Sequence, residues 1–102
     1  MHPQYIEVKN MEKELLFITV IGEDKKGIVA KIATLLYECN INIEDINQRI
    51  MGNYFVMMML VDMKESKYSL ENVRVELEKI GKELELKIQI QHENIFKMMH
   101  RV

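Results

Sequence analysis

The sequence has 102 residues, 48% of them apolar and 29% charged, with a formal net charge of −2. This is the makeup of one soluble globular domain, and the mild negative balance argues against general attraction to nucleic acid or anionic membrane. A single cysteine excludes an intrachain disulfide and a multi-cysteine metal site. No apolar run approaches the roughly 18 residues of a membrane span, and no signal-peptide pattern opens the chain, so a cytoplasmic setting is expected.

Residues 1–13 read as a loosely ordered N-terminal arm, with Met11 offering an alternative start. The first strand, Leu15 to Ile21, is apolar on both faces except at Thr19, the mark of a central strand. Gly22-Glu23-Asp24-Lys25-Lys26-Gly27 then forms a short connection ending in glycine at a helix start. Such a place offers unpaired N–H groups and the positive end of a helix dipole, which suits a small anion; a plain tight turn is the alternative. Ile28, Ile32, Leu35, Leu36 and Cys39 recur at helical spacing, and Asn40 supplies a left-handed stop.

A polar second strand follows from Ile41 to Ile50. Its isoleucines change phase between Ile43 and Ile46, which predicts an irregularity near Glu44-Asp45, and its polarity predicts a sheet edge. Gly52-Asn53 makes a hairpin turn. The third strand, Tyr54 to Val61, is apolar throughout, its methionines acting as pliable filling. Ser69 caps a second helix, with Tyr68 and Val73 placed as a staple. Its buried stripe is Leu70, Val73, Leu77 and Ile80, and Gly81 is expected to end it. The fourth strand, Leu84 to Gln91, alternates as a half-exposed edge should.

The order β-α-β-β-α-β, with two strands apolar on both faces and two half-polar, predicts an α+β ferredoxin-like sandwich: an antiparallel sheet ordered 4-1-3-2 with both helices on one face. Domain limits are set at 14–91, with residues 92–102 as a helical tail carrying Ile95, Met98, Met99 and Val102 on one stripe. That tail, or a second copy of the chain, is expected to cover the face the helices leave open.

Residues rather than fold must then decide function. Phe17 and Phe55 fall on central strands, but Gly52 to Met58 matches the RNA-recognition signature only at Gly52, Phe55 and Val56, and core packing accounts better for both rings. The loop after the first strand lacks the paired cysteines of a metal-transfer domain and the arginine of an acylphosphatase. His2, His92 and His100 are scattered, so no catalytic set emerges and no metal or cofactor is expected.

The segment Ile21-Gly22-Glu23-Asp24-Lys25-Lys26-Gly27-Ile28-Val29-Ala30-Lys31-Ile32 resembles the opening signature of the ACT domain, and Ile41-Asn42-Ile43-Glu44-Asp45-Ile46 resembles its second motif. The resemblance covers about Leu15 to Gln91. The ending His92 to Val102 is similar to that of small, free-standing ACT proteins of bacteria and archaea, and a kinship with the ACT modules of glycine-cleavage repressors is suggested. One departure is Lys26, where many ACT domains carry proline.

The resemblance implies a non-enzymatic regulatory domain that binds an amino acid or similar metabolite at a homodimer interface. Carried over by motif, one half of the site is Asp24, Lys25, Lys26, Gly27, Ile28 and Val29, and the other is Asn42 and Ile43 of the second subunit. The effector's carboxylate would take N–H groups near Gly27 to Val29, and its ammonium would take Asp24 or Asn42. Helix capping by Asp24 and a turn role for Asn42 are the competing readings, and Lys25 and Lys26 also read as solvated charges. The alternative function is a ligand-free protein-interaction module.

Overall fold

The structure, a computed structural model, describes residues 12–94. Strand β1 (Leu15–Glu23) leads into helix α1 (Ile28–Glu38). β2 (Asn42–Met51) and β3 (Tyr54–Asp62) form a hairpin, and α2 (Leu70–Leu84) returns to β4 (Leu86–His92). The four strands form one antiparallel sheet in the order β2-β3-β1-β4, which is the expected ferredoxin-like topology. The expected arm before residue 12 and the stripe of Ile95, Met98, Met99 and Val102 lie outside the described residues.

The core forms where the two periodicities meet. Leu16, Ile18 and Val20 of β1 and Phe55, Met57, Met59 and Val61 of β3 point from the sheet to the helices. Ile28, Ile32 and Leu36 of α1 and Val73 and Leu77 of α2 point back at them, and all are buried. Burying each such side chain contributes about 1.5–3 kcal/mol before conformational entropy is counted. On the opposite face of β1 and β3, Leu15, Phe17, Val56 and Leu60 are half-buried, whereas Ile21 and Met58 are exposed.

Phe17 and Phe55 stand on opposite faces. Phe55 lies in the helix-covered core and Phe17 pairs with Leu60 across the other side, so the two rings cannot form one base-stacking platform.

The irregularity in β2 falls where the isoleucine phase predicts it. The pairing with β3 slips between Ile43 and Asp45, so that Ile43 opposes Val61 and Ile46 opposes Met59, both on the helix side. Asn40 (φ 61°) closes α1 in the left-handed region, as expected. Ser69 caps α2 by accepting from the Asn72 N–H at 3.2 Å.

The end of α2 differs from expectation. Gly81 lies inside the helix, which runs on to Leu84, and Glu85 takes the left-handed position (φ 57°) with its N–H donating to the Gly81 carbonyl. The glycine serves close approach instead: a Cβ there would stand 2.8 Å from the Leu86 carbonyl oxygen. β1 also runs two residues further than expected, to Glu23, which shortens the connection into α1 to Asp24–Gly27.

Candidate functional site

The loop Asp24–Gly27 is held from one side by the hairpin. The Asp24 N–H donates to the Asn53 carbonyl at 2.9 Å. Gly27 is the N-cap of α1 at φ 86°, a conformation that a side chain would strain, and beyond its own chain neighbours no atom lies within 4 Å of where its Cβ would stand. The first intrahelical bond is Lys31 N–H to the Gly27 carbonyl, at 2.9 Å.

No side chain caps this helix and no acidic residue occupies its first turn. The competing reading of Asp24 as a helix cap therefore fails; its carboxylate is exposed at the loop. The helix start keeps its donors and the positive end of its dipole uncompensated, beside an opening that no Cβ fills. Ile28 is buried and Val29 is half-buried against the core. Lys25 reaches Glu85 at 4.0 Å, whereas Lys26 is exposed.

The other half of the expected site lies elsewhere. Asn42 pairs with Asp62, which pairs with Leu15 at the start of β1, while Glu23, next to the loop, pairs with Tyr54. Eight strand intervals of about 3.3 Å separate these ends, or roughly 26 Å. Within one protomer the structure gathers Asp24 to Val29 at one end and Asn42 with Ile43 at the other.

At the Asn42 end two residues join that the motif reading missed. Asn42 Nδ2 donates to Glu44 Oε2, and Glu44 Oε1 accepts from Lys13 Nζ at 2.5 Å. Lys13 first, and Asn42 after it, hold the Glu44 carboxyl below the usual carboxylate range, and Glu44 in turn pushes Lys13 up. The chain fixes the amide's direction: with its NH2 committed to Glu44, Asn42 presents its carbonyl oxygen as an acceptor. These residues, with Tyr37, Asn40 and Asp62, line an open polar hollow of about 650 Å³. Glu44 and Lys13 sit 31 positions apart, so only the neighbour spacing of Asn42 and Glu44 could have pointed to the arrangement.

Among the described residues no three His, Cys, Asp or Glu side chains gather to hold a metal ion, and no helix is long and apolar enough to cross a membrane. His92 closes β4 and faces Glu14 at 3.5 Å.

The sequence profile of the ACT domain matches residues 14–91. A UPF0237 protein of Methanocaldococcus jannaschii is 51% identical over 85 residues, covering 83% of this chain and 94% of its own. One of Clostridium acetobutylicum is also 51% identical over 85 residues, covering 83% and 96%. Among solved structures, an ACT domain protein from Streptococcus pneumoniae superposes with a TM-score of 0.71 at 39% identity, over 82% of this chain and 94% of that one. A structure assigned to a glycine cleavage system transcriptional repressor gives a TM-score of 0.69 at 25% identity, over 79% of this chain and 46% of the other.

Proposed function

We propose, for a chain that belongs to the ACT domain family, a non-enzymatic regulatory role: it binds an amino acid or similar small metabolite between two copies of itself. The observation that carries the reading is the division of the motif residues between opposite ends of β1, which a two-fold arrangement of copies reunites.

The second strand supports a particular arrangement. β2 is a ten-residue edge with neither proline nor lysine, and Ile46, Ile50 and Met51 are 42%, 56% and 59% exposed along it. The regular stretch past the bulge, Asp45 to Met51, carries charges at Asp45 and Arg49 but keeps an unpaired outer rim of backbone beside these apolar side chains, and such a rim is a template for pairing with another strand. Antiparallel pairing of β2 with its own copy carries the partner's Asn42 toward the Gly52-Asn53 hairpin. The Asn53 carbonyl of that hairpin already holds Asp24.

The chemistry then follows from the donors and acceptors present. The effector's carboxylate takes the N–H groups between Gly27 and Val29, favoured by the uncapped helix dipole. Its ammonium is shared between the Asp24 carboxylate and the carbonyl oxygen of the partner's Asn42, which Glu44 orients. Ile43 bounds the pocket, and Lys25 and Lys26 add positive charge on the carboxylate side.

Calorimetric titration of the full chain with the twenty amino acids tests this. At least one binds, and Asp24→Ala or Asn42→Ala weakens it roughly ten- to hundredfold, the loss expected for a hydrogen bond to a charged group. Silence across the panel sinks the small-ligand reading and leaves the interaction module.

A further inference from the structure

The two helices are clasped at one end. Lys31 Nζ meets Glu83 Oε2 at 2.6 Å, tying the start of α1 to the end of α2. Toward the other end a groove of about 440 Å³ lies between them. Its floor is Val73 and the buried Cys39, and its walls include the half-buried Leu35 and the exposed Tyr68 and Val75 (52% and 47%). This volume and apolar lining fall in the range of small-molecule sites.

The charge on the groove is one-sided. Glu38 and Glu76 line it, and no lining residue is cationic. Glu76 accepts from Lys79 on its own helix at 2.9 Å, whereas among the described residues nothing pairs with Glu38. Both carboxylates are felt at the floor: burial first, then Glu38 and Glu76, push the Cys39 thiol up, with Lys67 opposing.

We propose that this groove is a second binding site, distinct from the loop at Gly27, for a small organic cation: a primary ammonium on an apolar body about the size of one aromatic ring. The body lies against Leu35 and Val75 with Tyr68 beside it, over the buried Val73 and Cys39, and the ammonium rests between Glu38 and Glu76. Phenethylammonium is the probe, and 3-phenylpropionate, with a similar body and opposite charge, is its control.

On the full ¹⁵N-labelled chain, the cation shifts the amides of Leu35, Cys39 and Val73 saturably, and the anion leaves them in place. The double variant Glu38→Gln/Glu76→Gln binds the cation roughly tenfold more weakly, as two partly exposed ion contacts imply. The cation also slows alkylation of Cys39, the one cysteine in the chain. Should the double variant unfold, the two probes on the unaltered chain decide alone. Equal response to both probes, or no saturable response by concentrations on the order of 10 mM, overturns the proposal. Groove amides that instead move on dilution of the ligand-free protein assign the groove to self-association and overturn it equally.

Discussion

Replacing Gly81 by alanine sets two forces of known sign against each other. In an isolated helix the change is favourable by about 1 kcal/mol, because alanine surrenders less backbone entropy. Here the new Cβ would stand 2.8 Å from the Leu86 carbonyl oxygen and 3.7 Å from Ile88 Cγ1. The carbonyl cannot yield cheaply, since it belongs to β4 at the point where Leu86 pairs with Gly22. Ordinary contact requires α2 to move off the sheet by roughly 0.5 Å, and overpacking of this kind costs about 1–3 kcal/mol. The balance is a net destabilisation of about 1 kcal/mol, or a Tm lowered by roughly 4–8 °C for a domain of this size. Thermal and urea unfolding of the full chain followed by circular dichroism measures it. A Tm that rises would mean that helix propensity outweighs the contact and that α2 is not pinned against β4.

Glu85→Gly should do the reverse: removing a side chain from φ 57° relieves about 1 kcal/mol, partly offset by glycine's greater unfolded freedom, while the exposed contact with Lys25 at 4.0 Å contributes little. A lower urea midpoint would contradict it. Glu44→Gln tests the Lys13–Glu44–Asn42 group through pH. A carboxyl held below its ordinary range contributes stability above the unfolded pKa and loses it as pH falls through the folded one. The variant should therefore be less stable than wild type at pH 7, with the gap closing below about pH 4.3. A gap that persists or widens in acid refutes the assignment. Ile46→Lys with Ile50→Lys, both exposed on β2, should leave the fold intact and halve the mass seen by sedimentation equilibrium. An unchanged mass would exclude β2 as the seam.

Much of the fold was open to sequence reasoning because each strand wears its position in the sheet. β1 and β3 are apolar on both faces and proved central, while the polar β2 and alternating β4 proved to be edges. The bulge was readable because a single extra residue reverses the phase of every isoleucine after it. Gly81 misled because glycine signals both helix ends and close contacts. The distinction depends on the Leu86 carbonyl, which is near in space but belongs to the next element. The candidate site was only half accessible. Motif order names Asp24 to Val29 and Asn42 with Ile43, and the spacing of Asn42 and Glu44 allows their contact, yet nothing local reveals that Lys13 holds Glu44 in place, since that depends on packing across 31 positions.

The slip between Ile43 and Asp45 also limits what a neighbouring strand can use. Regular backbone along that rim runs only from Asp45 to Met51, seven residues with Gln48 at the middle. Two chains laid head to tail along it would set Gln48 against Gln48, and the three residues ahead of each regular stretch would hang past the other's last rung. Asn42 is one of those three, so an irregularity of one residue would decide how far it reaches across the join.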